Sequence, residues 1–173
     1  MEYCRKANQN SYRFWNPLYT GKVEKAKALD ELDAVGMIVR RNSIMDGMGC
    51  NYAHALAKDP ALFDNWILQL KAMVKEERNH PSILIWSMEN ELTLINARNC
   101  GILDAVEPHI KRAAKALLEL DPTRPVMIDG GNALKDQSLP VSGAHYVETS
   151  ITAPIRAVFH RSAPIDKFFP ARW

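Results

Sequence analysis

Apolar side chains recur at three- and four-residue steps after residue 60, and polar side chains fill most positions between them. The apolar stripe consists of Phe63, Trp66, Ile67, Leu70, Met73 and Val74. This spacing places all of them on one face of an α-helix, so we predict an amphipathic helix here. Asp59 is suited to cap its N-terminus, and Pro60 fits the first turn, where a missing N–H costs no helical hydrogen bond.

The rest of the chain alternates between short apolar runs and longer amphipathic stretches. Helices are predicted at residues 23–32 and 103–120, the second with Pro108 in its first turn or at a kink. Strands are predicted at residues 37–39, 83–86, 126–128 and 141–146, with a loop over residues 42–51. The run at 83–86 is continuously apolar, which predicts a strand covered on both faces. Together these elements predict an α/β fold with a parallel sheet built from βαβ units.

The two ends of the chain lack this periodicity. Residues 1–22 and 151–173 contain proline, aromatic and basic residues without a regular pattern, so both are predicted to be irregular. The organised part is then one domain over residues 23–150. The chain of 173 residues is long enough for one domain with a core, but it is shorter than the roughly 250 residues of a closed (β/α)₈ barrel.

Composition narrows the class of protein without identifying a function. The formal charge of +2 is too small to indicate a nucleic-acid or membrane-surface partner, and no apolar run approaches the length of a membrane span. The chain has three cysteines, Cys4, Cys50 and Cys100. Their odd number and wide spacing predict reduced thiols and no disulfide framework. Because the N-terminus also lacks a signal-peptide pattern, we predict a cytoplasmic protein. The histidines show no metal-ligand spacing, so no metal and no cofactor are predicted.

Candidate chemistry is concentrated in residues 78–91, with the sequence RNHPSILIWSMENE. The predicted strand changes abruptly from apolar residues to Ser87, Glu89, Asn90 and Glu91. In parallel α/β folds the carboxyl ends of the strands form the rim where ligands bind. Burying two carboxylates there costs several kcal/mol unless they are paired or used, and clustered carboxylates are what general acid–base catalysis needs. The alternative is a solvated charged loop, and the residues alone leave both open.

This stretch closely resembles the segment that carries the proton donor in family-2 glycoside hydrolases and their relatives in the large (β/α)₈ clan. In these enzymes an Asn-Glu pair closes strand four. Three further stretches agree: residues 30–39 resemble the passage into strand three apart from an insertion at 33–35, residues 120–126 resemble the turn into strand five, and His145 with Tyr146 resembles the end of strand six. The resemblance covers about residues 23–150 and implies a partial (β/α)₈ TIM barrel, roughly strands three to six with their helices.

The resemblance also implies roles for the residues at the end of this strand. Glu91 would be the general acid/base, which protonates the glycosidic oxygen and then deprotonates the water that attacks the glycosyl-enzyme. Asn90 would hydrogen-bond the sugar 2-hydroxyl. Neighbours on a regular strand point to opposite faces, so we expect the strand to become irregular at Asn90. On a regular strand Glu89 would share a face with Glu91, and their repulsion would raise one carboxyl pKa.

Other strand ends supply further candidates for substrate contact. Asp129 follows the strand at 126–128 and could contact the substrate or cap its own loop. His145 and Tyr146 are predicted to contact the sugar or the second carboxylate of the site. Glu89 is included as a substrate-binding candidate because of its place beside Asn90.

Four residues carry weaker or structural predictions. Arg41 and Asp46 follow the strand at 37–39 and could line the pocket or hold the loop. His80 precedes the strand at 83–86 and is predicted to be structural at the opposite end of the sheet. Trp86 is predicted to pack beneath the helices.

The match to the family breaks where a second carboxylate is expected. A retaining glycosidase needs two carboxylates about 5–5.5 Å apart, and in this family the second is a Glu at the end of strand seven. After Tyr146 the sequence offers only Glu148, too close to strand six, and Asp166, which follows no strand-like segment. We therefore expect the nucleophile to be absent and the chain to be part of a larger enzyme. Its open sheet would have exposed edges at strands three and six, to be completed by another chain or by further residues.

Two functions remain open from the sequence. The first is a retaining hydrolase of β-linked glycosides, β-galactosidase-like, with glucuronidase or mannosidase activity as the other outcomes and this chain carrying the acid/base half of the site. The second is a non-catalytic carbohydrate-binding or assembly module that keeps Glu91 by descent. A phosphate-binding α/β enzyme is disfavoured because Gly130 and Gly131 do not form a phosphate-loop pattern.

Overall fold

The strands of this protein form one parallel sheet in which each strand lies beside the next one in the sequence. A computed structural model describes residues 2–15, 22–46, 57–131, 134, 139 and 141–142. The strands are β1 Ser11–Phe14, β2 Ile38–Asp46, β3 Ile83–Asn90, β4 Val126–Asp129 and β5 Val141–Ser142. The helices are α1 Glu2–Lys6, α2 Lys22–Ala34, α3 Pro60–Glu77 and α4 Leu103–Leu120, with a π-helix at Leu92–Arg98. Sequential parallel pairing with intervening helices confirms the α/β prediction and is the arrangement of consecutive (β/α)₈-barrel units.

The first strand corrects the prediction for the N-terminus. Helix α1 and strand β1 lie within residues 1–22, so the prediction of an irregular segment is wrong there. Strand β1 pairs with β2, with Ser11 opposite Ile38 and Phe14 opposite Arg41. A four-residue strand with two polar side chains is too short to produce a clear period of two. Because β1 covers β2, the strand at 37–39 is not the sheet edge that the sequence predicts.

The two long helices agree with the sequence pattern. Helix α3 begins at Pro60, and the Asp59 side chain accepts a hydrogen bond from the Ala61 N–H at 3.0 Å. Helix α4 spans the predicted residues, with Pro108 inside it. The predicted stripe of α3 is entirely buried: Phe63, Trp66, Ile67, Leu70, Met73 and Val74. The core therefore lies between the sheet and these helices, as expected for one layer of a barrel wall.

Strand β2 is longer than the sequence predicts. It continues to Asp46, so the predicted loop at 42–51 is wrong for its first five residues, while residues 47–51 lie outside the described part of the chain. Asn42 and Ser43 are buried within the strand, and the Ser43 hydroxyl donates to the carbonyl of Met88 on β3. Polar residues that find partners across the sheet interrupt the apolar pattern without interrupting the strand.

The two faces of the sheet have different surroundings. Arg41 on β2 is fully buried and its Nη2 donates to Glu77 of α3 at 2.8 Å, so this side of the strand faces the helices. Neighbouring strand residues point to the opposite, inner face. On β3, Ile83 and Trp86 are buried, but Leu84 is 57% exposed. The prediction of a strand covered on both faces is therefore wrong at Leu84.

Two further sequence predictions concern the compartment. Within the described residues, none of the helices has the length and apolar character needed to cross a membrane. Cys4 is free, whereas Cys100 is disulfide-bonded, so the prediction of reduced thiols is wrong for Cys100. The cytoplasmic location stays a prediction.

Candidate active site

The end of β3 is irregular at the point where the sequence predicts it. Trp86 pairs with Val126 and Ser87 with Met127, but the next pair joins Asn90 to Asp129. Strand β3 thus carries one residue more than β4 over this interval, which is a β-bulge. Such bulges redirect side chains near active sites, and the expected irregularity at Asn90 is confirmed.

Immediately after the bulge, Glu91 adopts the left-handed backbone conformation, with φ 60° and ψ 8°. Its N–H donates to the carbonyl of Asp129 at 2.8 Å, and its own carbonyl accepts from the Asn96 side chain at 2.6 Å. The side chain is half-buried. Hydrogen bonds to β4 and to Asn96 therefore hold the Glu91 backbone. On a regular strand Asn90 and Glu91 would point to opposite faces, and the left-handed turn at Glu91 interrupts this alternation.

A π-helix starts directly after Glu91 and was not anticipated from the sequence. Its residues Leu92, Thr93 and Asn96 are buried, and the Thr93 hydroxyl donates to the carbonyl of Gly131 at 3.1 Å. π-Helical turns are rare and are found frequently at functional sites. Here the wide turn fills the space between the ends of β3 and β4.

Asn90 is fixed by an arginine from the first strand. The Arg13 guanidinium donates through Nη2 to Asn90 Oδ1 at 2.7 Å and through Nε to Asn42 Oδ1 at 3.2 Å. The same guanidinium lies over the Trp15 ring, 4.3 Å from its centroid. Because Oδ1 accepts from Arg13, the Asn90 amide is oriented with its NH₂ group on the other side.

Asp129 is the centre of an ion-pair network below this rim. Its Oδ2 lies 3.1 Å from Arg13 Nη2 and 3.2 Å from Arg40 Nη2, and it accepts from the Asn42 amide at 3.4 Å. Its Oδ1 accepts from the N–H of Gly130 at 3.1 Å, and the side chain has no exposed surface. Of the two roles left open by the sequence, these contacts favour the loop-capping role, and the substrate contact of Asp129 stays a prediction.

Glu89 is completely buried beneath the π-helix. Its Oε2 accepts from the N–H of Leu92 at 2.6 Å. Burial raises the pKa of Glu89 to about 8, and the nearby Asp129 carboxylate adds to this rise, while the Leu92 N–H opposes it. The rise comes chiefly from burial, and the like charge that adds to it is Asp129 and not Glu91, so the predicted repulsion between Glu89 and Glu91 is not its cause. The geometry favours a positioning role for Glu89 over the predicted substrate contact, which stays untested.

The remaining candidates fall into three groups. His145 and Tyr146 lie outside the described residues, as does the side chain of Asp46. Arg41 faces the helices with Glu77, so the alternative that it lines the pocket is wrong. Trp86 packs beneath the helices as predicted, with its indole N–H donating to Asp121 at 2.9 Å.

His80 lies at the opposite end of β3 from the candidate site, as predicted for a structural residue. Its Nδ1 is 2.6 Å from Asp33 Oδ2, and Asp33 Oδ1 accepts from the Ser82 N–H at 2.9 Å. With Asp30 these side chains form, within the described residues, a group whose ligand atoms lie within 4.8 Å of one another. The direct His80–Asp33 hydrogen bond accounts for the arrangement without a metal ion.

Sequence reasoning missed Arg13 and Arg40, the two cations of the site. Both lie on inner-face positions of strands, and both are about three-tenths exposed. The available signal was a basic side chain within an apolar or short strand-like run, since a charge is seldom placed inside a sheet without a partner.

Comparison with known proteins agrees with this architecture. The model of the family described as glycosyl hydrolases family 2, TIM barrel domain, matches residues 24–167. This chain belongs to glycosyl hydrolase family 2. It is 31% identical over 144 residues to a β-galactosidase of Aeromonas hydrophila subsp. hydrophila. The aligned region covers 82% of this chain and 12% of that protein. It is 31% identical over 139 residues to a β-galactosidase of Yersinia enterocolitica, covering 80% of this chain and 11% of that protein.

Solved structures of family members share the fold. A Bacteroides uniformis β-glucuronidase superposes with a TM-score of 0.68 at 19% identity, over 98% of this chain and 20% of that one. A Bifidobacterium dentium β-glucuronidase superposes with a TM-score of 0.64 at 18% identity, over 96% of this chain and 26% of that one. These similarities establish a partial (β/α)₈ barrel, and the chain spans about an eighth of the length of its curated relatives.

Proposed function

We propose that this family-2 chain carries the acid/base half of a retaining β-glycosidase site, with Glu91 as the acid and base. The observation that carries the proposal is the geometry at the end of β3. A bulge followed by the left-handed turn at Glu91 interrupts strand alternation between Asn90 and Glu91 at the rim where barrel enzymes bind substrate. The half-buried Glu91 side chain remains accessible, while the neighbouring carboxyls of Glu89 and Asp129 are fully buried.

The proposed reaction has two steps. In the first, Glu91 gives its proton to the glycosidic oxygen as the bond from that oxygen to the anomeric carbon breaks, and a second carboxylate bonds to the anomeric carbon. In the second, Glu91 takes a proton from a water whose oxygen attacks the same carbon and releases the second carboxylate. We expect the second carboxylate to come from outside this sequence, on another chain or on further residues.

Asn90 supports both steps by binding the sugar. With its Oδ1 held by Arg13 at 2.7 Å, its amide NH₂ is oriented as a donor to the oxygen of a 2-hydroxyl. A hydrogen bond to this hydroxyl strengthens as the ring approaches the oxocarbenium-like transition state. Arg13 therefore fixes the orientation of a group on which the transition state depends.

The preferred substrate is a β-galactoside. The support comes from the relatives at 31% identity, which are β-galactosidases, whereas the glucuronidase structures are too distant in sequence to bear on the sugar. Aryl β-galactosides and aryl β-glucuronides compared at equal concentration test this preference.

Glu91→Gln tests the role of the acid/base. We expect turnover of aryl β-galactosides to fall by about 10²- to 10⁴-fold, with the largest loss for poor leaving groups, because these depend most on protonation. Glu119→Gln, the same change on the exposed face of α4, is the control and should leave turnover unchanged. The assay is made on a longer protein that contains this chain and supplies the second carboxylate, and the 173-residue chain is assayed beside it.

The rescue pattern distinguishes the outcomes. Azide needs no base, so it should restore turnover of a Glu91→Ala variant with a good leaving group and give a β-glycosyl azide. Strong turnover by the 173-residue chain alone, lost in Glu91→Gln, would mean that the nucleophile lies within this sequence. Sugar binding without any turnover dependent on Glu91 would favour a non-catalytic module and contradict the proposal.

A further inference from the structure

The carboxyl group of Glu89 lies under the turn that carries Glu91. Its Oε2 accepts from the Leu92 N–H at 2.6 Å, and this hydrogen bond spans the two intervening residues, Asn90 and Glu91. Glu89 belongs to β3, and Leu92 is the first residue of the π-helix. This one contact therefore ties the end of the strand to the start of the helix across the candidate acid/base.

The turn at Glu91 is one that requires such support. A left-handed backbone is unfavourable for a residue with a side chain, and Glu91 is one of only two non-glycine residues with positive φ in the described part of the chain. The Glu91 N–H and carbonyl bonds hold the turn from β4 and from Asn96. The Glu89 contact holds it from beneath, inside the core.

The surroundings of Glu89 disfavour a negative charge. The charged group that faces it from β4 is the Asp129 carboxylate, a like charge. The cations of β1 and β2, Arg13 and Arg40, form their ion pairs with Asp129. Glu89 Oε1 is buried and has no hydrogen-bond partner among the described residues. The N–H groups of Leu92 and Asp129 and the Thr93 hydroxyl oppose the rise in the pKa of Glu89, but burial outweighs them, so the neutral acid is the favoured form.

We propose that Glu89 is a positioning residue for Glu91, which as a neutral carboxylic acid holds the Leu92 N–H and thereby the left-handed turn. The inference rests on the proposed function only in naming Glu91 as the group that the turn presents. Loss of the Glu89 proton places an uncompensated negative charge beside Asp129 and loosens the turn.

The neutral form has a consequence for stability. The pKa of Glu89 is raised from an ordinary value of 4.5 to about 8, chiefly by burial. Between these two values the folded protein keeps a proton that the unfolded chain has lost, so the folded state becomes less stable as the pH rises. The contribution of protonated Glu89 to the free energy of unfolding is fully present below about pH 4.5 and is lost by about pH 8. The opposite trend is expected for ordinary paired carboxylates.

The test uses carboxyl ¹³C resonances of glutamate-labelled protein, followed between pH 3 and 10. We expect the resonance that is missing from Glu89→Gln to titrate near pH 8. In the wild type, the urea concentration at the unfolding midpoint should fall as the pH rises from 5 to 9. In Glu89→Gln, the midpoint should stay nearly constant over the same range. That variant keeps a neutral acceptor of the same shape.

Amide exchange at Leu92 tests the positioning contact itself. Protection should be equal in the wild type and Glu89→Gln at pH 7, and exchange should be about tenfold faster or more in Glu89→Leu, which has no acceptor. Should Glu89→Leu fail to fold, Glu89→Asp replaces it, because its shorter side chain withdraws the acceptor from Leu92.

Two results would overturn the inference. One is a Glu89 resonance that titrates near the ordinary glutamate value of 4.5, and the other is unchanged Leu92 protection when the acceptor is removed or shortened. Neither readout uses turnover. Unchanged turnover in Glu91→Gln would therefore contradict the proposed function and would leave the result for Glu89 standing.

Discussion

Gly130 decides whether the backbone of Glu91 fits at the end of β3. Gly130 has φ +90°, and a Cβ at this position would lie 2.8 Å from Glu91 Cα and 2.8 Å from Glu91 Cγ. Rotating a side chain cannot relieve a clash with backbone. The Gly130–Gly131 pair, which is too weak to indicate a phosphate loop, therefore has a packing role, since it lets β4 approach the turn that presents the acid/base.

Gly130→Ala should destabilise the protein and displace Glu91. We expect a loss of about 2–5 kcal/mol in the free energy of unfolding, from the strained φ and from the overlap with Glu91. Gly36→Ala is the matched control, because Gly36 also has positive φ, +68°, but a Cβ there meets no atom within 4 Å. The control should lose only about 1–2 kcal/mol. Urea unfolding measures both, and equal losses would refute the packing role of Gly130.

At the scale of elements, one buried ion pair joins the sheet to the helix layer. Arg41 of β2 is fully buried and binds both carboxyl oxygens of Glu77 on α3, and Lys25 of α2 lies 2.8 Å from the same carboxylate. Although burial raises the pKa of Glu77, the hydrogen bonds and charges of Arg41 and Lys25 hold it below the ordinary value. The contribution of Glu77 to stability is therefore lost as the pH falls. Three elements thus depend on one carboxylate.

Glu77→Gln leaves the Arg41 guanidinium buried without its counter-charge. We expect a loss of about 3–5 kcal/mol in the free energy of unfolding at pH 7, the usual cost of breaking a buried pair from one side. Glu76→Gln is the control at the adjacent, half-exposed position, where the ion pair to Lys25 is longer, 3.5 Å. It should cost no more than about 1 kcal/mol. If urea unfolding gives similar losses for the two variants, Arg41 is not dependent on Glu77.

At the scale of the whole molecule, the described sheet leaves apolar strand residues uncovered. Leu84 is 57% exposed and Ile38 is 44% exposed, although both lie on strands of a sheet that packs against helices. Closed barrels fill this interior with side chains from all their strands. We therefore expect this face of the 173-residue chain to associate with further residues of a barrel or with another copy.

Leu84→Lys should reduce concentration-dependent association of the 173-residue chain. The substitution places a charge at an exposed apolar position of the sheet, where it opposes apolar contact but removes little packing within the chain. Leu68→Lys is the control, since Leu68 is 64% exposed on the helical side. Sedimentation velocity over a range of concentrations measures the effect. Equal behaviour of the two variants would argue against association through the sheet face.

The sequence alone was sufficient wherever the determining interactions are local. The stripe and cap of α3 and the span of α4 are fixed by residues one or two turns apart, and both helices agree with the pattern. The fourteen residues ending at Glu91 likewise indicated the family, because their order along one strand is specific. The irregular strand end followed from requiring that Asn90 and Glu91 both reach the substrate.

Tertiary structure decided what depends on residues far apart in the chain. Arg13 reaches Asn90 across 77 positions and Arg40 reaches Asp129 across 89, so no local pattern reveals either contact. Strand β1 and the full length of β2 were missed for the same reason, since their polar side chains gain partners only when the sheet forms. The sequence thus determined that Glu91 ends a strand, and the packing of Glu89, Gly130 and the π-helix determined how Glu91 is held there.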